Sequence, residues 1–218
     1  MGLELEIVDV CKTYNGNPIL RDCSFTFAGG GTYVLQGPNG SGKSTLFRTL
    51  ALLEKPDKGR VEYRDGGQIL APGLELQRRI TLVLPGTGIF NTTVFHNVAY
   101  GLKIRGIARA EIEERVNDAL LAVGLGHKKR QRALELSSGE TKRLGIARAM
   151  VISPEVLFLD EPTANIDPAN TEIIEDIIFK MKQERQATIL MITHDPVQAQ
   201  RLGGDGLLLM QDGKIIPA

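Results

Sequence analysis

The chain has 218 residues, 42% of them hydrophobic, and its 26 basic side chains balance 26 acidic ones. It can bury one substantial core, and the cancelled charge argues against a nucleic-acid partner. Its apolar runs are too short to span a bilayer, and no signal-peptide pattern follows Met1, so we expect a cytoplasmic domain. Cys11 and Cys23 lack metal-ligand spacing, which favours buried reduced thiols in strands.

The first residues predict two antiparallel strands with one solvated face. Residues 3–10 alternate apolar and polar, and residues 19–27 do so less regularly. Between them, residues 15–18 (Asn-Gly-Asn-Pro) form a turn sequence that places Tyr14 at a strand end. Its ring can stack on a nucleotide base or pack against the turn, and the pattern leaves both open.

Residues 37–45, Gly-Pro-Asn-Gly-Ser-Gly-Lys-Ser-Thr, follow the apolar run Thr32–Gln36 and precede an apolar helical segment. Strand, glycine loop and helix in this order are typical of a phosphate-binding loop, and the pattern disfavours a turn without a ligand. The helix, predicted to begin near Ser44, adds its positive dipole end. Lys43 would reach the outer phosphates, and the Ser44 hydroxyl would ligate magnesium.

The middle of the chain predicts two strands and then a helical insertion. Residues 60–63 and 80–84 have strand patterns separated by a loop at 66–73, and Pro85 ends the second strand. Residues 92–101 and 109–123 have helical spacing. The basic run 127–132 is interpreted as a solvated loop, with a lipid or partner contact as the alternative.

The apolar strand 156–159 delivers Asp160 and Glu161 to the carboxyl edge of a sheet. Ligands of open α/β folds lie at this edge, so Asp160 suits a magnesium shell and Glu161 can polarise a water molecule. The alternative is an acidic start of a helix or of a turn.

Residues 136–140, Leu-Ser-Ser-Gly-Glu, open another helix. They can form a second anion-binding helix terminus or simply an N-cap.

The last third completes an α/β pattern. A helix is predicted at 169–185, a strand at 187–192 that leads into His194, and a hairpin from 207–210 and 214–216. Strands that alternate with helices predict a parallel sheet covered on both faces.

Nearly the whole chain resembles the ATP-binding cassette (ABC) family. Residues 37–45 are similar to its Walker A loop, 136–140 to its signature, 156–161 to Walker B, 164–167 to the D-loop, and His194 to the switch histidine. The resemblance implies an α/β P-loop NTPase (RecA-like) fold, with a mixed-sheet core, an antiparallel β subdomain and an inserted helical subdomain. As one nucleotide-binding domain, it would comprise a core at 1–85 and 151–218 and a helical part at 86–150.

The resemblance also implies the roles of individual residues in an ATPase that uses ATP and Mg²⁺. Lys43, Glu161 and His194 would be catalytic, and Ser44 and Asp160 would hold the metal. The nucleotide would be bound by Tyr14, Gly37, Asn39, Gly40, Ser41, Gly42, Lys43, Ser44, Thr45, Ser137, Gly139 and Asp167. Ser137 and Gly139 would act across a head-to-tail homodimer, in which each ATP lies between one copy's Walker A loop and the other copy's signature.

One departure from the family pattern concerns the coupling loop. Pro85 occupies the position where the family has a glutamine that contacts magnesium and senses the membrane subunits, and proline has no side chain for either task. Ser138 and Glu140 are milder departures within the signature.

The implied function is the ATPase subunit of a prokaryotic transporter, peripheral on the inner face of the membrane beneath two integral permease subunits. Residues 97–102 and 161–170 look similar to tungstate-type oxyanion import ATPases, which favours an importer with a solute-binding protein. The alternatives are an ATPase for lipoprotein release or cell division, and an ATP-gated switch with little turnover, suggested by Pro85.

Overall fold

The structure, a computed structural model, describes residues 2–86, 88–184 and 187–218. Thr87 of the predicted loop and Arg185 of the predicted helix lie outside them. The chain divides into two compact units, a first unit of residues 1–82, 155–161 and 181–218 and a second unit of residues 83–154 and 162–180.

The described residues form ten β-strands and seven α-helices. The strands are β1 (Glu4–Tyr14), β2 (Asn17–Phe27), β3 (Thr32–Gln36), β4 (Lys58–Asp65), β5 (Gln68–Ile69), β6 (Ile80–Val83), β7 (Val156–Asp160), β8 (Thr188–Ile192), β9 (Gly206–Gln211) and β10 (Lys214–Pro217). The helices are α1 (Lys43–Leu50), α2 (Leu74–Arg78), α3 (Val94–Lys103), α4 (Arg109–Ala122), α5 (Ser138–Met150), α6 (Pro168–Glu184) and α7 (Pro196–Leu202).

Within the described residues, β2, β1, β4 and β5 form an antiparallel sheet in that order. β1 and β2 are joined at Asn15 and Gly16, whose φ angles of 50° and 79° suit a two-residue hairpin turn. Tyr14 lies at a strand end, as predicted, but the turn is shorter than the predicted 15–18, because Asn17 and Pro18 already belong to β2.

The other sheet of the described chain has the order β10-β9-β3-β8-β7-β6. β3 pairs in parallel with β8 and β9, β7 pairs in parallel with β8, and β10 pairs antiparallel with β9. Every residue of β7 and β8 is buried, as expected for central strands covered on both faces. The parallel pairing brings the carboxyl ends of β3, β7 and β8 to one edge of the sheet.

The second unit contains α3, α4 and α5, which contact one another. On α4, Ile112, Val116, Ala119 and Leu120 are buried, as their spacing predicted. Mixed sheet, antiparallel sheet and helical segment together confirm the predicted α/β architecture.

Local details differ from the prediction. β6 ends at Val83, one residue before the predicted end, and Leu84 is 44% exposed. Pro85 has no N–H group to donate to a neighbouring strand, so the strand does not continue through it. The predicted loop 66–73 contains β5, which pairs with β4 through a turn at two glycines of positive φ. Cys23 is buried, but Cys11 is only half-buried, and its thiol donates to Asp22 Oδ1 at 3.1 Å.

Among the described residues, no helix is both long and apolar enough to cross a membrane.

Candidate nucleotide site

The glycine loop between β3 and α1 closes around its own lysine. Lys43 is 6% exposed, and its Nζ donates to the carbonyls of Gly37 and Pro38, both at 2.8 Å. Gly37 has φ of 145°, and a Cβ there would lie 2.3 Å from the Met210 carbonyl oxygen. A residue other than glycine would therefore strain the backbone and collide with β9.

The start of α1 is suited to an anion. Its N-cap, Gly42, makes no side-chain cap, and the first turn carries no acidic residue. The Ser41 hydroxyl is buried without a hydrogen-bond partner in the described chain. An unpaired buried hydroxyl is costly, and a phosphate oxygen would satisfy it while also accepting from N–H groups in the first turn of α1.

Asp160 ends β7 as a nearly buried carboxylate, 2% exposed. Burial raises its pKa, and the side chain of Ser44 acts in the opposite direction. A buried carboxylate beside a serine hydroxyl supplies the oxygen ligands that a hard divalent cation prefers. These residues therefore fit the magnesium ion that the sequence predicted.

Glu161 and His194 meet at the carboxyl ends of β7 and β8. Glu161 has φ of 51°, its N–H donates to the Ile192 carbonyl at 3.1 Å, and its Oε1 lies 3.1 Å from His194 Nε2. Both side chains remain partly exposed, at 31% and 44%. The carboxylate is thus oriented by an imidazole and accessible to water, the arrangement that a general base needs.

Lys43 completes this group electrostatically. Burial lowers the pKa of its ammonium group, and the charges of Glu161 and Asp160 act in the opposite direction. The ammonium group of Lys43 offsets part of the negative charge of the two carboxylates, and a divalent cation held by oxygen ligands would offset the rest.

Other predicted residues of the loop are less constrained. Asn39 and Gly40 are exposed, whereas Thr45 is buried within α1, where its hydroxyl accepts from Arg48 at 3.3 Å.

Tyr14 is held at the surface by a side-chain network that the sequence pattern did not reveal. It is 36% exposed, its hydroxyl donates to Glu54, and Lys12 Nζ lies 5.7 Å from its ring centroid. Arg48 donates to the same glutamate at 2.7 Å. The ring is therefore anchored through its hydroxyl and exposed on part of its surface.

In the second unit, Ser137 caps α5 in a capping box. Glu140 N–H donates to Ser137 Oγ at 3.3 Å, and Ser137 N–H donates to Glu140 Oε2 at 3.0 Å. Lys128, from the basic run, lies 2.6 Å from Glu140 and is the main cause of its lowered pKa. Glu140 thus has a local structural role, and Ser137 and Ser138 remain exposed at the helix start.

Asp167 precedes α6 and is exposed, and its carboxylate accepts twice from one residue that the sequence did not single out. Asn170 donates to it through the backbone N–H at 3.0 Å and through Nδ2 at 2.6 Å. Residues 167–170 have the sequence Asp-Pro-x-Asn, which is compatible with a helix N-cap at the aspartate. This pattern was the signal in the sequence that could have pointed to Asn170.

The segment around Pro85 is held by cations of α5. Lys142 Nζ donates to the Pro85 carbonyl at 2.7 Å, and Arg148 donates to the Gly88 carbonyl and lies 4.8 Å from the Phe90 ring. Burial lowers the pKa of Arg148. Backbone carbonyls and α5 cations therefore fix this loop in the absence of a glutamine at position 85.

A cleft of about 660 Å³ lies within the second unit. Its apolar lining includes Phe95, Ile107 and Ile112, and its charged lining comprises Lys103, Arg109, Lys129, Arg130 and Glu113. The cleft thus combines an apolar surface with an excess of positive charge.

The predicted residues fall into two groups. The structure brings Lys43, Ser44, Asp160, Glu161 and His194 together in the first unit, whereas Ser137, Gly139 and Asp167 belong to the second unit.

Comparisons with known proteins agree on one family. The sequence profile described as ABC transporter matches residues 20–164. The chain is 37% identical to the tungstate uptake system ATP-binding protein TupC of Peptoclostridium acidaminophilum, over 98% of this chain and 97% of the relative. It is 38% identical to a probable anion import ATP-binding protein of Haloferax volcanii, over 87% of this chain and 71% of the relative. Other relatives are named for import of phosphate, methionine or iron(III) ions.

The fold is similar to that of a solved transporter component. CbiO1 from Clostridium perfringens, part of the transporter complex cbiONQ, superposes with a TM-score of 0.85 at 30% identity, over 99% of this chain and 88% of that one.

Proposed function

The chain belongs to the ABC transporter family and is an ATP-binding ATPase of that family, and from this premise we propose that it energises a prokaryotic importer of a small oxyanion. The observation that carries the catalytic part is the group formed by Lys43, Asp160 and Glu161 at the carboxyl edge of the parallel strands. The whole chain would act as one nucleotide-binding domain, with a core at 1–85 and 151–218 and a helical part at 86–150.

In the proposed mechanism, the loop backbone, Ser41 and Lys43 bind and orient the phosphates of ATP. Ser44 and Asp160 would hold Mg²⁺, which when bound neutralises phosphate charge. Glu161 would accept a proton from the attacking water, while its contact with His194 fixes its carboxylate. Tyr14 would stack on the adenine through its exposed surface.

Hydrolysis would require a second copy of the chain. The exposed Ser137 and the amides near Gly139 at the start of α5 are suited to a phosphate, because a helix N-terminus concentrates N–H donors. Each ATP would then lie between one copy's glycine loop and the other copy's signature, and Asp167 would contribute to the dimer contact. ATP-driven closure would shift the transporter between two conformations, and hydrolysis would reverse it.

The membrane partners would be two integral permease subunits, with this chain peripheral on the inner membrane face. The cleft that includes Phe95 is our candidate docking surface, and its excess of basic side chains suits an amphipathic segment with acidic residues. Arg109→Glu should reduce the recovery of both permease subunits with the tagged chain from detergent extracts. Lys180→Glu, a charge reversal at an exposed residue of α6, should not. Equal recovery with both variants would remove the cleft from consideration.

An oxyanion is the proposed cargo because two relatives that align with most of this chain are named for tungstate uptake and for anion import. A solute-binding protein would deliver it. The test is ATPase stimulation of the purified complex by binding protein loaded with tungstate. Stimulation by methionine and not by tungstate, molybdate or phosphate would overturn the cargo proposal.

A second candidate function rests on Pro85. If the loop held by Lys142 cannot replace the missing glutamine, the chain would act as an ATP-gated switch with little turnover. Phosphate release by wild type and by Glu161→Gln decides between the two functions. A wild-type rate well above that of the variant supports the energising ATPase, and a wild-type rate equal to that of the variant supports the switch.

A further inference from the structure

Asn170, a residue outside the predicted site, contacts two of the elements proposed to face the second copy. A Cβ built on Gly139 would lie 2.4 Å from Asn170 Cγ and 2.5 Å from its Nδ2. The same Nδ2 donates to Asp167 Oδ2 at 2.6 Å. The Asn170 amide therefore lies against the signature glycine and is bonded to the D-loop aspartate.

Two consequences follow from this packing. Gly139 is the second residue of α5, two positions after the cap at Ser137, and any side chain there would displace the Asn170 amide. Asp167 owes its lowered pKa mainly to hydrogen bonds from the backbone and side chain of Asn170. Movement of either element should therefore disturb the other.

We propose that Asn170 is a positioning residue that locks the start of α5 and the Asp167 carboxylate into one rigid surface for the second copy. Two surfaces that are ordered before they meet lose less conformational entropy on association, so this lock should favour ATP-dependent dimerisation. The inference rests on the proposed function, in which both elements contact the second copy.

Asn170→Ala should fold. Asn170 Oδ1 is buried without a hydrogen-bond partner in the described chain, so the substitution removes an unpaired oxygen along with one hydrogen bond. Circular dichroism and thermal melting will check this.

The first test measures ATP-dependent dimerisation in the Glu161→Gln background by analytical ultracentrifugation. We expect Asn170→Ala to raise the dimer dissociation constant at least tenfold, while ATP affinity measured below the dimerising concentration changes less than twofold. Glu172→Ala, on the exposed face of the same helix, is the matched control, and its dimer dissociation constant should equal that of the parent. Asn170→Asp keeps the size but places a second carboxylate beside Asp167, and should dimerise more weakly than Asn170→Ala.

The second test uses the space that Asn170 occupies. Gly139→Ala should abolish dimerisation because its methyl group collides with the amide. The double variant Gly139→Ala/Asn170→Ala should recover to the level of Asn170→Ala alone, because the obstacle is gone.

The outcomes separate this inference from the proposed function. If the Glu161→Gln parent dimerises with ATP but Asn170→Ala dimerises equally well, the positioning role is wrong and the proposed function stands. A double variant no better than Gly139→Ala also overturns it, since glycine is then required for another reason. If the Glu161→Gln parent remains monomeric in saturating ATP, both the positioning role of Asn170 and the proposed function are wrong.

Discussion

Replacing Asp160 with asparagine is expected to stabilise the nucleotide-free protein while abolishing its stabilisation by magnesium and ATP. The carboxylate is 2% exposed, and burial is the main reason that its pKa is raised. Its environment thus disfavours the charge, although Ser44 and Lys43 act in the opposite direction. Asparagine keeps an oxygen that can accept from Ser44 but carries no charge and is a poor magnesium ligand.

The expected magnitudes are measurable. Removing an unfavourable buried charge should raise the free energy of unfolding by on the order of 1 kcal/mol. For a chain of this size, this gain raises the Tm by roughly 2–4 °C. Magnesium and ATP at a hundredfold the Kd should raise the free energy of unfolding of the wild type by about 2.7 kcal/mol. This gain corresponds to a rise in Tm of roughly 5–10 °C. The Asp160→Asn variant should lose most of the second shift.

The assay is thermal unfolding at pH 7.5, with and without magnesium and ATP, beside Asp118→Asn as a control on an exposed aspartate of α4. When folding raises the pKa of an acidic group, its ionised form lowers the free energy of unfolding. This loss is complete above the folded pKa and decreases as the pH falls through that pKa. The advantage of Asp160→Asn should therefore shrink as pH is lowered. A nucleotide-free Tm below that of the wild type, or an undiminished nucleotide shift, would refute the reasoning.

Three further substitutions test the glycine loop and the coupling loop. Lys43→Ala should lose ATP binding by at least a hundredfold in titrations with a fluorescent analogue, because the buried ammonium has no replacement; binding within threefold of the wild type would contradict this. Gly37→Ala should cost about 2–4 kcal/mol in denaturant unfolding, since its Cβ would meet the Met210 carbonyl, and a loss below 0.5 kcal/mol would show that the loop relaxes. Arg148→Ala should speed proteolysis near Gly88, which loses a hydrogen bond to the guanidinium, and an unchanged cleavage rate would argue that other contacts hold the loop.

Local sequence patterns predicted the elements that depend on neighbouring residues. β3 has the predicted bounds Thr32–Gln36, because a short apolar run before a glycine loop has few alternatives. The Asn15-Gly16 turn was predictable since both residues tolerate positive φ. β5 was missed, because two residues are too few for any periodicity.

The side-chain partners were beyond prediction from local pattern. Glu54, which holds the Tyr14 hydroxyl, is forty positions away, and Lys142, which holds the Pro85 carbonyl, is fifty-seven positions away. No local pattern links such positions, because only the packed backbone brings them within hydrogen-bond distance.

The sequence by itself determined which chemistry the chain carries, because Lys43, Ser44 and the Asp160-Glu161 pair stand in patterns that phosphate and magnesium demand at fixed spacing. The tertiary structure decided how these groups are tuned. It buried Asp160, set His194 against Glu161, and placed the Asn170 amide where Gly139 has no side chain. The physical reason is that spacing along the chain fixes which groups a loop presents, whereas burial, charge balance and contact arise only when distant segments pack together.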